Sequence, residues 1–305
     1  MMAWGEIMEI RNLKTFLRVA ALMNFTAAAR ELGYSQANVS AQIKQLEEEV
    51  GAPLFNRIGR NVTLTQYADA LLPYARSIVA TAAQMENLLK SEADVGGVVR
   101  VGMVESLFDA LAEEALLAYH HRFPKVQIEV EVDSTLALKA ALRRGTLDVA
   151  CLIDDPLPPH EWQIACSAEA DVVVAASPFH PLASRKRIMP EELAAQEFVL
   201  MESSAPYCVS FQNELSRREV ELRPFLTLQR SDMARKLLQV GTFLSVLPRY
   251  AIAASIADGS VCVLPVSGLS LTQTVQVVLH RDKVPTPQLT GFVAVLTDRI
   301  HERIA

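Results

Sequence analysis

Val39, Ile43, Leu46 and Val50 recur at intervals of four, three and four. That spacing draws one buried stripe along a helix. The residues between them are polar: Gln36, Asn38, Ser40, Gln42 and Lys44 form the expected outer face. Before this helix, Phe25-Thr-Ala-Ala-Ala-Arg-Glu-Leu32 predicts a shorter one. Its alanines are strong helix formers and let another helix pack closely. Thr26 is placed to cap it, with Phe25 just ahead of the cap. Gly33 falls where a helix ends in a left-handed residue, and Ser35 can cap the next helix. Residues 9 to 23 predict a third amphipathic helix, with Leu13, Phe16, Leu17, Val19 and Ala20 inward. Three such helices around one core make a helix-turn-helix, whose second member enters the DNA major groove. Short polar side chains near its N-terminus suit base edges and phosphates. An ordinary helical hairpin with a polar face is the competing reading, and the flanks weigh against it.

The following segment, Gly51-Ala-Pro-Leu-Phe-Asn-Arg57-Ile-Gly-Arg60-Asn-Val-Thr-Leu64, sets two apolar pieces around a basic tip. It predicts a β-hairpin wing that aims Arg57 and Arg60 at the DNA backbone or minor groove. Residues 65 to 91 then predict a long helix. Leu71, Ala75, Ile78, Ala82, Met85 and Leu89 alternate by four and three, a heptad seam, with Pro73 in the first turns. Packing on its own domain would use such a seam; a dimer coiled coil would too, and it would give the reader a partner for a second half-site.

After Ser91-Glu-Ala-Asp-Val-Gly96-Gly97, expected as a hinge, the period changes. Strands are predicted at 98–103, 126–132 and 147–153, helices at 106–121 and 135–144, and a further strand from Val172. Such alternation argues for parallel sheets with a ligand at the strand C-termini.

Charge complicates the picture. The chain carries a net −6 over 305 residues, and residues 1–64 hold seven Lys+Arg against six Asp+Glu. Charge alone does not suggest a nucleic-acid protein, since phosphate affinity depends on placed cations. Several readers in a homodimer or homotetramer would compensate. No apolar run approaches the roughly 18–20 residues of a spanning helix, so no membrane is expected as a partner. Glu6, Glu9 and Arg11 interrupt any signal-peptide pattern, and four widely spaced cysteines fit reduced thiols, so a cytoplasmic protein is expected. No Gly-x-Ser-x-Gly elbow, Walker loop, dinucleotide fingerprint or His-Glu-x-x-His occurs. The adjacent His120 and His121 point different ways on a helix. Neither an enzyme nor a cofactor or metal is therefore expected. A stand-alone solute-binding protein would account for residues 98–305 but not for the reader.

Ordered motifs now converge. Leu13-Lys-Thr-Phe16, Phe25-Thr-Ala-Ala-Ala-Arg-Glu-Leu32, Ser35-Gln36, Val39-Ser40, Gln42-Ile43, Leu46-Glu47, Gly51-Ala-Pro-Leu-Phe55-Asn-Arg57 and Thr63-Leu64-Thr65 resemble the N-terminal region of LysR-type transcriptional regulators. Asn38, where the family usually has a small residue, and Ala68, where glycine is common, depart from it. Phe179-His-Pro-Leu-Ala183 and Gly241-Thr-Phe-Leu-Ser-Val-Leu-Pro248 extend the resemblance over nearly the whole chain. It implies a winged helix-turn-helix over 8–65, a linker helix for dimerisation over 66–91, and an α/β effector-binding domain over 92–305. That domain would be two-lobed and periplasmic-binding-protein-like, with lobe I about 97–169 and 271–305, lobe II about 170–270, and a final helix at 287–304. Double-stranded promoter DNA and an unidentified small-molecule effector are the implied partners.

For DNA, Ser35, Gln36, Asn38, Ser40 and Gln42 are the expected groove contacts, with Lys44, Arg57 and Arg60 for phosphates or the minor groove. For the effector, position in the family gives Ser106, Ser134 and Thr135 from one lobe. Ser203, Ser204, Thr242 and Phe243 come from the other, with Arg230 at the rim. Hydroxyls and helix-start N–H groups could cradle a carboxylate, while simple helix capping would use Ser106 and Thr135 equally well. Asp154 and Asp155, if they face the cleft, would disfavour an anion. Cys208 lies near where the peroxide-sensing branch of the family holds its reactive thiol. Arg217 and Arg218 could activate it only by folding back, and an inert buried thiol is the alternative.

Overall fold

The computed structural model describes residues 8–58, 61–87, 92–201 and 205–304. They fall into two compact units, Met1–Lys90 with Asp282–Pro287, and Ser91–Arg281 with Gln288–Ala305.

The first unit is built from α1 (Ile10–Leu22), α2 (Phe25–Leu32), α3 (Gln36–Val50), a hairpin of β1 (Phe55–Ile58) and β2 (Asn61–Leu64), and α4 (Gln66–Asn87). Gly33 ends α2 at φ 69, a conformation in which a Cβ would be strained, and so makes the turn to α3. Ser35 caps α3, accepting the Asn38 N–H at 3.2 Å. The cap of α2 is Asn24 rather than Thr26. Its side chain accepts the Ala27 N–H at 3.0 Å from an extended backbone at φ −152. Helix α2 therefore starts earlier than expected, and Phe25 lies inside it, buried. Leu13, Phe16, Val19, Ala28, Val39, Ile43, Leu46 and Leu54 complete one core with Phe25 and Phe55. The wing joins that core through Phe55, whose ring meets Phe16 at 5.7 Å and Phe25 at 5.4 Å.

The expected heptad seam on α4 is divided. Ala75 is buried in the same core, with Leu71, Leu72 and Val79 packed against it. Tyr67, Tyr74, Ile78 and Met85 instead form an outward apolar stripe. Leu89 lies outside the described residues.

The second unit contains β3 (Gly96–Met103), α5 (Glu105–Arg122), β4 (Lys125–Val132), α6 (Thr135–Arg144), β5 (Val149–Asp154), β6 (Trp162–Ala176), β7 (Glu197–Met201), α7 (Pro206–Ser216), β8 (Arg223–Leu228), α8 (Ser231–Val240), β9 (Leu244–Pro248), α9 (Ala253–Ala257), β10 (Cys262–Val263), β11 (Leu271–His280) and α10 (Pro287–Arg303). Among the described residues they form one nine-stranded sheet, ordered β4-β3-β5-β11-β6-β9-β7-β8 with β10 on β6. Parallel pairs lie towards both ends, β3 with β4 and β5, and β7 with β8 and β9. These ends are the two lobes. Between them β6 and β11 run antiparallel from Val172↔Leu271 to Trp162↔His280.

Strand β6 begins ten residues before the expected Val172. Its pattern was present in the sequence: Trp162, Cys166, Ala168 and Ala170 are buried, while Glu169 and Asp171 are exposed. Small inward residues concealed the period-2 signal. Gly96 and Gly97 pair with Lys125 and Val126 as part of β3, so the expected hinge ends before them.

Candidate functional site

Helix α3 presents Gln36, Ala37, Asn38, Ala41 and Lys44 to solvent, with Ser40 half-buried, while Val39, Ile43 and Leu46 hold its opposite face. Ala37 and Ala41 were not singled out from sequence. They matter because methyl-sized side chains let a helix approach base edges and can meet a thymine methyl. Lys44 reaches Glu48 at 3.2 Å, with both side chains largely exposed. Such a pair contributes little and is readily exchanged for a phosphate.

Gln42 departs from its expected role. It is only 8 % exposed. Its Oε1 accepts the Thr15 hydroxyl at 2.6 Å, and its Nε2 donates to Asn38 Oδ1 at 3.0 Å. Both ends of the amide are occupied within the protein, so Gln42 backs Asn38 and offers no free donor-acceptor pair. The relay engages Asn38 through its Oδ1, and Asn38 itself is exposed.

Arg57 sits on β1 opposite Val62. Arg60 lies outside the described residues. The wing is fastened to α3 by Glu47, whose Oε1 accepts the N–H groups of Leu54 at 2.7 Å and Phe55 at 3.3 Å. Thr65 closes the other side, donating to the Pro53 carbonyl at 2.8 Å and capping α4 at Ala68. Hydrogen bonds to a charged acceptor contribute about 1.5–3 kcal/mol, and here two donors beside buried side chains share one oxygen. Glu47→Ala should therefore lower stability in urea by about 2 kcal/mol and loosen the wing. Unchanged unfolding midpoints would show that the tether is dispensable.

In the second unit a cavity of about 580 Å³ opens where the ends of β3, β4 and β7 meet the starts of α5, α6, α7 and α8. Ser106, Ser134, Thr135 and Arg230 all line it, as expected. The hydroxyls of Ser106, Ser134 and Thr135 are engaged. Ser106 Oγ lies 3.0 Å from the Tyr250 hydroxyl, Thr135 donates to the Ile153 carbonyl at 3.1 Å, and Ser134 caps α6 at Ala137. Capping thus holds for Ser134, and not for Ser106 or Thr135. Ser203 and Ser204 lie outside the described residues, although Met201 and Ala205 on either side line the cavity.

Thr242 and Phe243 are not among the cavity's lining residues. Phe243 stacks on Phe225 at 4.8 Å, and the exposed Thr242 meets the His180 ring through its backbone. Burial pulls the His180 pKa down, and its Nδ1 accepts the Leu182 N–H at 3.1 Å, which makes this histidine structural. Asp154 is bound to Lys139 at 2.6 Å. Asp155 is exposed and accepts from Gln273 at 3.5 Å, and neither aspartate lines the cavity. Sequence reasoning missed Glu105 and Tyr207, which do line it.

Two family models match the chain. The bacterial regulatory helix-turn-helix protein model of the lysR family matches residues 10–69, and the LysR substrate binding domain matches residues 92–300. The chain belongs to the LysR family. It is a DNA-binding transcriptional regulator with an effector-binding domain. The RuBisCO operon transcriptional regulator of Allochromatium vinosum is 28% identical over 287 residues, covering 93% of this chain and 94% of the relative. A full-length OxyR variant from Pseudomonas aeruginosa shares the fold at TM-score 0.73 and 22% identity, covering 97% of this chain and 95% of that one. Full-length CbnR, solved with its target DNA, gives TM-score 0.55 at 22% identity, over 95% of this chain and 99% of that one.

Within this LysR-family sensor Cys208 is 1 % exposed, and burial pushes its thiol up to about 12. Arg217 and Arg218 do not turn back to it. Both bind Glu214, at 3.2 and 2.9 Å. A buried thiol with no cation beside it is poorly nucleophilic.

Proposed function

We propose that α3 reads promoter DNA through Ser35, Gln36, Asn38, Ser40 and Lys44, with Gln42 as the support of Asn38 and the wing arginines on the backbone or minor groove. The observation that carries this reading is the division of α3 into a fully buried apolar stripe and an exposed face of short polar and alanine side chains. The protein acts in the cytoplasm by binding and not by catalysis; among the described residues no helix is long and apolar enough to cross a membrane. It works as a homodimer or homotetramer, paired through the outward stripe of α4, so that two readers address a dyad-symmetric site. CbnR, which shares the fold, was solved in complex with its target DNA. An effector taken into the cleft favours one spacing of the readers over another through its differential affinity for the two assemblies.

Gel shifts on the regulator's own promoter test the reading face. Gln36→Ala should change which base substitutions are tolerated. Arg57→Ala should weaken binding to every sequence and reduce the salt slope by about 1. A Gln36→Ala protein with unaltered sequence preference would remove α3 from the proposal.

A further inference from the structure

The cleft already contains a carboxylate. Glu105 opens α5 in the first lobe, and its side chain crosses to the start of α8 in the second. Its Oε2 accepts the Ser231 N–H at 2.9 Å and the Ser231 hydroxyl at 2.6 Å, while Oε1 lies 3.5 Å from the Asp232 N–H. A helix N-terminus offers unpaired N–H groups and the positive end of its dipole, the features that would receive a ligand carboxylate. In this chain Glu105 fills that position. Beside it, the Ser106–Tyr250 contact also joins the two lobes.

Charge around the cavity agrees with this arrangement. Glu105 and Asp133 line it, and Arg230 is the one lysine or arginine among its described lining residues. Arg230 is itself clamped by Asp232 through two bonds of 2.9 Å, a pairing that holds the aspartate down at about 2. Asp109, one turn further along α5, has its pKa raised first by burial and then by Glu105 and Asp232.

We propose that Glu105 is the residue that sets the ligand class of this cleft: it substitutes internally for an effector carboxylate at α8, closes the lobes, and leaves a site for small molecules that present an ammonium or guanidinium group. The proposal rests on the effector reading of the cleft. An anion entering there would have to displace Glu105 and approach Asp133, whereas a cation gains both as partners.

Melting of the full chain tests it, with acetate and chloride compared at equal ionic strength. Glu105→Ala should lower the transition of the sensor unit. Acetate should then restore roughly 2–4 °C as it reoccupies the α8 N-terminus. Wild type should not respond to acetate. With the matched pair n-butylammonium and n-butyrate, only the ammonium should raise the wild-type transition. An acetate response that is equal in both proteins, or absent from the variant, overturns the proposal, as does a wild type stabilised by butyrate or by neither ion. Should Glu105→Ala fail to fold, Glu105→Gln serves. Amide exchange at Ser231 and Asp232 should then quicken by about tenfold, and unchanged exchange has the same force against the idea. Promoter affinity is read separately. If n-butylammonium stabilises the sensor without altering DNA binding, effector control is refuted while the role of Glu105 stands.

Discussion

Phe16→Ala should abolish DNA binding by unfolding the N-terminal unit while the sensor still melts at its own temperature. Phe16 is fully buried and touches both the wing, through Phe55, and the helical core around Leu13 and Val19. Truncating a buried phenylalanine costs about 3–5 kcal/mol, because the neighbours only partly collapse into the space. Domains of this size hold about 5–15 kcal/mol in total, so little would remain. The shift should exceed about 10 °C in a unit of fewer than 100 residues. The site also lacks a neighbour that can compensate, since Phe25 already packs edge-on against Phe55 at 5.4 Å. Calorimetry of the full chain with a promoter gel shift would decide the matter. Retained binding and an unmoved transition would show that the three helices hold together without this ring.

Gly291→Ala should destabilise the sensor although alanine is the better helix former. The intrinsic preference favours alanine by about 1 kcal/mol in a helix interior. Packing opposes it. A Cβ at Gly291 would lie 2.3 Å from Phe123 Cε2 and 2.5 Å from Cζ. Phe123 cannot withdraw easily: it is buried and stacked on Tyr119 at 4.9 Å. Tyr119 is in turn fixed by its hydroxyl, which donates to the Gln288 carbonyl at 2.9 Å, and by Phe292 at 5.2 Å. Overpacking a rigid site costs about 1–3 kcal/mol, and at this separation the upper end applies. A net loss of about 2 kcal/mol is expected in denaturant melts. Gly291→Ala combined with Phe123→Leu should recover much of it, as residues in contact are not additive. A single variant as stable as wild type would show that α10 can slide away from α5.

What was legible in the sequence was what local physics decides. The stripe of Val39, Ile43 and Leu46, the turn at Gly33 and the cap at Ser35 depend on neighbours a few residues away, and the structure contains each of them. Asn24 and Thr26 are both good capping residues, and the choice between them rests on the backbone angle at Asn24, which composition does not reveal. Gln42 borders the buried stripe, so its direction depends on what faces it. Only the presence of Thr15 on another helix, 27 residues earlier, turns it inward. The cleft shows the same division. Ser106, Ser134 and Thr135 follow strand ends, and all three line the cavity. Glu105 escaped notice because its partner, Ser231, is 126 residues distant. Phe243 is not among the cavity's lining residues because its ring stacks on Phe225 of β8, a contact that sequence spacing does not reveal.

Strand β6 runs unbroken from one lobe into the other, with β11 beside it from Leu271 to His280 and a single register shift between Val277 and Val278. Ladder hydrogen bonds resist shear between such strands, so a rotation of the lobes would have to twist the ribbon, as in a leaf spring and not a door hinge. Ligand binding would therefore load this spring over a short arc, and ligand loss would return it without a separate resetting step.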